Sequence, residues 1–98
     1  MTNLINEFLK ENDLIIITGK DFKVYGRAKY DNNKKDFNFI SDESYNKNMN
    51  EKAKEFLKCN VDDISVSYII ENFVNITIDI YRQTPESKIG NKIFFIKK

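Results

Sequence analysis

Polar and apolar residues change period several times along the chain, and each change predicts an element. Leu4, Ile5, Phe8 and Leu9 recur at helical spacing behind Thr2, a residue type suited to a helix N-cap. That predicts a short amphipathic helix running to Glu11. Leu14 to Thr18 is then a continuous apolar run, Gly19-Lys20-Asp21 a turn, residues 22–30 a strict alternation and 31–35 a polar loop, after which Phe37 and Phe39 alternate again. An antiparallel three-stranded meander is the simplest connection.

From Asn46 the period is helical once more, with Met49, Ala53, Phe56 and Leu57 as one stripe and Lys47, Glu51, Lys52, Lys54, Glu55 and Lys58 facing outward. Residues 61–73 admit two readings. As strands, Ile64, Val66, Tyr68 and Ile70 alternate with Ser65 and Ser67, and Val74, Ile76, Ile78 and Ile80 alternate with Asn75, Thr77 and Asp79. A connection through Glu71-Asn72-Phe73 would set Ile70 opposite Val74 and Ile64 opposite Ile80. As a helix, Val61, Ile64, Tyr68, Ile69 and Phe73 can share a face behind Asn60 as N-cap. The dominance of β-branched residues favours the strands. A loop with the single proline leads to a last strand, Lys92-Ile93-Phe94-Phe95-Ile96-Lys97-Lys98, whose lysines suit an exposed end.

The resulting expectation is one α+β domain over residues 1–98, an antiparallel sheet of five to six strands carrying two amphipathic helices in the order αβββ-αβββ. The repeated Glu-Phe-Leu-Lys at 7–10 and 55–58 hints at a duplication. Aligning Phe22/Tyr30 with Phe73/Tyr81, however, lays the apolar phase of one half on the polar phase of the other.

At 98 residues and 41% hydrophobic, the chain can bury roughly two thirds of its unfolded surface, enough for a core without staples. Sixteen basic and fifteen acidic side chains leave a net charge of +1, so any electrostatic preference has to come from local patterning. The N-terminus carries neither a basic segment nor an unbroken apolar run, and no stretch reaches the roughly 18 apolar residues of a membrane span. Cytoplasmic location and no membrane partner are expected. The abundance of Lys, Asn and Ile, all with AT-rich codons, points to the genome of a low-GC bacterium, its phage or a plasmid.

Catalysis is not expected. Histidine is absent, so the side chain that most often serves as base and metal ligand near neutral pH is missing. Cys59, alone, falls at a helix C-terminus, where the dipole opposes a thiolate. The pairs Asp42-Glu43 and Asp62-Asp63 point in different directions on any regular element and sit where capping acids belong. Residues 31–36 lack the glycine and distal glutamate of a calcium loop, and three glycines cannot build a phosphate cradle. No metal and no cofactor are expected.

What remains is residues 22–30, which place Lys23, Tyr25, Arg27 and Lys29 in one phase of a strand. Three cations at period two around a tyrosine could follow a phosphate backbone while the ring stacks on a base. The stretch resembles the aromatic strand of RNA-recognition modules at Lys23, Tyr25, Gly26 and Tyr30 and departs from it at Arg27 and Ala28. The αβββα order of residues 3–58, with Lys52-Ala53-Lys54, resembles a double-stranded-RNA-binding domain, and the turn at 19–21 and the approach at 41–48 depart from that family. Neither membership follows. The same alternation belongs to the wet face of any antiparallel sheet, and that reading is preferred.

Leu14 to Ile17 and Ile93 to Ile96 are apolar in both phases and call for cover on both faces, from helices, a second sheet, a homodimer or a partner. The functional expectation is a small non-enzymatic protein-binding module, of the kind a phage or mobile element uses to inhibit a host defence protein. The alternative is nucleic-acid or nucleotide binding through Lys23, Tyr25, Arg27 and Lys29.

Overall fold

The structure is a computed structural model and describes residues 5–58, 61–83 and 91–97. Thr2, Leu4, Cys59, Asn60 and the proline loop lie outside the described residues. A six-stranded sheet with the order β4-β3-β2-β1-β5-β6 is antiparallel at every pairing. Its strands are β1 Leu14–Thr18, β2 Lys23–Asp31, β3 Asp36–Ser41, β4 Ile64–Ser65, β5 Thr77–Arg82 and β6 Asn91–Lys97, and the helices are α1 Ile5–Phe8, α2 Glu51–Lys58 and α3 Val66–Asn72. The α+β class and the antiparallel sheet are as expected.

The meander forms because each hairpin loop satisfies its own backbone. Gly19 N–H donates to the Phe22 carbonyl at 2.9 Å, and the Phe22 ring lies where a Cβ on Gly19 would be. In the second hairpin Asp31 Oδ1 accepts from the N–H groups of Asn33 and Lys34, an Asx turn, while Lys35 takes a left-handed φ of 55°. Residues 31–36 are thus a hairpin loop.

One phase of every central strand faces a single apolar core. Ile15 and Ile17 of β1, Val24 and Ala28 of β2, Phe37 and Phe39 of β3 and Ile78 and Ile80 of β5 cluster there with Ile5 of α1, Leu9 just after it, Ala53 of α2 and Val66, Ile69 and Ile70 of α3. All three helices therefore lie on that side. In β6 an irregularity opposite Ile80 and Tyr81 leaves Ile93 as an extra residue between Lys92, paired with Tyr81, and Phe94, paired with Ile80. The bulge resets the phase, and Ile93 and Ile96 both pack on the core. This accounts for part of the two-phase apolar pattern of that strand.

Three expectations are corrected. Residues 64–70 do not form a hairpin with 74–80. Only Ile64–Ser65 is extended, and the chain then turns into α3, capped by the Ser65 hydroxyl accepting from Tyr68 N–H at 3.1 Å. The helix buries Val66, Ile69 and Ile70 at helical spacing and leaves Tyr68 half exposed, so tertiary packing overrides β-branched propensity. Second, β5 pairs with β1, Ile80 opposite Ile15, so the second half does not repeat the first meander. Third, α2 begins at Glu51 rather than Asn46. Asn50 caps it, its Oδ1 accepting from Ala53 N–H at 2.9 Å, and residues 46–50 form a separate wall described below.

Candidate functional site

Among the described residues, no helix lies on the other face of the sheet. By register Lys23, Tyr25, Arg27 and Lys29 share it with Leu14, Ile16 and Thr18 of β1, Asn38 and Ile40 of β3 and Asp79 and Tyr81 of β5. Leu14 is buried yet stands apart from the core cluster, and Ile16 and Ile40 are half-buried. Among the described residues the helices cover one side, and apolar residues stand at the centre of the other.

The four residues singled out on β2 lie on one face but do not act as one site. Arg27 is a strut. Its Nε donates to Asp42 Oδ2 at 2.9 Å, an Nη to the Asn12 carbonyl at 3.2 Å, and its guanidinium lies 5.4 Å from the Tyr45 ring centroid. Asn12 reaches this position through a left-handed φ of 73°, and its side-chain oxygen also accepts from Lys29 Nζ. Lys23 is exposed, and no partner for its ammonium exists among the described residues. Other cations of the molecule are matched as Arg27 is: Lys92 to Asp79 at 3.1 Å and Arg82 to Asp13 at 2.7 Å.

Tyr25 sits where β3 has ended. The last β2–β3 pair is Gly26 with Ser41, and beyond it Asp42 N–H and the Asn46 side chain take over the strand's bonding role. Asn46 Oδ1 accepts from Tyr25 N–H at 2.9 Å and its Nδ2 donates to the Tyr25 carbonyl at 2.8 Å, so a buried amide stands in for a strand residue. This fixes the segment after β3 and lays Tyr45 against Tyr25, ring centroids 5.4 Å apart and 20° from parallel. Asn50 Nδ2 donates to the Asp21 carbonyl at 2.8 Å and anchors the far end.

Two clefts result. One, about 380 Å³, lies between the start of β2 and this anchored segment and includes Lys23, Tyr25, Tyr45 and Lys47. The other, about 390 Å³, lies at the opposite end of the face and includes Asn12, Asp13, Arg27 and Arg82. The β2 residues are thus divided, Lys23 and Tyr25 to one cleft and Arg27 to the other. Among the described residues no cluster of acids has the arrangement to hold a metal ion, and no helix is long and apolar enough to cross a membrane.

Asp42 organises the junction between the two. The Ser44 hydroxyl most of all, then the Arg27 guanidinium and the Tyr45 N–H, hold its carboxyl below the ordinary value against the opposing effect of burial. A depressed folded value stabilises above the unfolded value of about 4 and the contribution disappears as pH falls through the folded one. Thermal unfolding followed by circular dichroism from about pH 5 to about pH 2 should therefore show an acid limb that Asp42→Asn makes shallower.

Tyr45, Asn46 and Lys47 were not legible as site residues, because their roles depend on contacts with β2 about 20 positions away. No protein-family model, no curated protein and no solved structure matches the chain.

Proposed function

We propose that the chain is a non-enzymatic protein-binding module whose working surface is the sheet face the helices leave uncovered. The observation that supports this is the makeup of that face. Ile16, Ile40 and Tyr25 lie half-buried across its middle, and the charges around them are largely matched within the chain, Arg27 to Asp42 and Lys92 to Asp79. An apolar and aromatic centre with a polar surround is what a protein interface uses. The same matching makes a poor track for a phosphate backbone, which binds by exchanging counterions for free cations. The Lys-, Asn- and Ile-rich composition is that of a low-GC bacterium, its phage or a plasmid, and the partner in this proposal is a host protein that a phage or mobile-element chain would inhibit.

Ile16 is the residue to change, because it stands at the centre of the face and outside the core cluster. Arg27 is unsuited, since its removal strands Asp42. Immobilised wild-type chain should capture a discrete protein from extracts of low-GC bacteria, and Ile16→Lys should lose that capture by about tenfold or more while keeping its circular dichroism spectrum. Lys52→Glu, on the outer side of α2, should capture as wild type does. Equal capture by all three chains, or none by wild type, would sink the reading.

A further inference from the structure

The cleft between the start of β2 and residues 44–50 has a composition that the protein-binding reading does not use. Its charged lining residues are Lys23 and Lys47, both exposed, neither with an ion-pair or hydrogen-bond partner for its ammonium among the described residues, and no carboxylate lines it. Two lysines and no carboxylate around one concavity make it a locally positive site. Beside the lysines stands the Tyr25–Tyr45 stack, with Tyr45 44% exposed, so a flat aromatic surface borders the cationic one. The wall is preorganised: Asn46 spends its buried amide on Tyr25 and Asn50 spends its own on Asp21 and Ala53.

We propose that this cleft binds a nucleoside monophosphate, the base lying against the exposed Tyr45 ring and the phosphate between the ammonium groups of Lys23 and Lys47. A volume of about 380 Å³ is in the range of small-ligand sites. Stacking on a tyrosine tolerates any base, so the site selects for a ring joined to an anion rather than for a particular base. The ligand is distinct from a nucleic-acid strand, because Arg27 and Lys29, which would have to continue the track, are engaged with Asp42 and Asn12.

The test is a two-dimensional NMR titration of the whole chain with AMP, with inorganic phosphate and adenosine as the two half-ligands. AMP should shift the Tyr25, Tyr45 and Lys47 resonances saturably, at least about tenfold more tightly than either half. Tyr45→Ala should weaken it by about tenfold or more, as loss of one stacking partner does, and Lys47→Ala by about fivefold, as loss of one exposed charge contact does. Lys47 is exposed and its variant should keep the wild-type spectrum, whereas Tyr45→Ala also removes the ring from Tyr25 and Arg27, so its fold is verified by unchanged resonances in the core and in β1, β3 and β5. Equal affinity for phosphate and AMP would overturn the proposal in favour of a simple anion site. Shifts mapping away from Tyr45, or none at millimolar AMP, would overturn it outright. A DNA or RNA oligonucleotide that outcompetes AMP and shifts the whole of β2 would overturn it in favour of a strand track.

Discussion

Arg82→Met should destabilise the protein by about 3 kcal/mol, on the order of 15 °C in the midpoint of a chain this size. Asp13 is 2% exposed, and Arg82 holds it through two bonds, Nε to Oδ1 at 2.9 Å and an Nη to Oδ2 at 2.7 Å, while the same Nη group donates to the Phe8 carbonyl. The pair ties the end of α1 to the end of β5, neighbours in space that are 69 or more positions apart in sequence. Removing the cation leaves a buried carboxylate whose remaining described partner is the Lys10 N–H. Breaking a buried pair costs roughly 3–5 kcal/mol, and the lower end applies because water already reaches the guanidinium. Asp13→Asn combined with Arg82→Met should recover most of the loss, since the charge left unpaired is then gone. Urea midpoints of the two variants measure this, and a double variant no more stable than Arg82→Met would show that the charge is not what matters.

Gly26→Ala should cost about 2–3 kcal/mol, although it adds one methyl group. A Cβ at this position would lie 2.4 Å from two atoms of the Phe39 ring and 2.8 Å from the Ile40 carbonyl oxygen. Phe39 is fully buried and the carbonyl belongs to the neighbouring strand, so neither has room to withdraw. The requirement is for close approach, a ring from the next strand covering the glycine. Phe39→Leu shortens the side chain that blocks the methyl, so the double variant should be less destabilised than the sum of the singles. Additive losses in denaturant midpoints would contradict that account. Gly26 lies between Tyr25 and Arg27, so a displaced β2 should also disturb the cleft at its start.

Where a strand has one dry and one wet phase, its sequence states its orientation, and β2 is the clearest case: Val24 and Ala28 are fully buried while Lys23 is exposed. The class, the meander and the hairpin loops follow from such patterns. Residues 64–72 do not, because two strand residues and seven helical ones draw on one run of apolar side chains. Ile69 was the informative position. It falls in the polar phase of a strand yet is apolar, and only a helix buries it together with Val66 and Ile70. The pairing of β5 with β1 has no local signature at all. Of the site, Lys23 and Tyr25 were legible from alternation. Asn46 was not, since nothing in the polar stretch around it announces that one amide will complete a strand 21 positions earlier.

Amine-acetylation footprinting of the chain in complex with its captured partner locates the working surface. Lys23 and Lys92 belong to the uncovered face, and Lys52 and Lys58 to the exposed surface of α2. Lys23 and Lys92 should be shielded in the complex while Lys52 and Lys58 label as they do in the free chain. Shielding of Lys52 and Lys58 with Lys23 and Lys92 still reactive would contradict this and move the working surface to the helices.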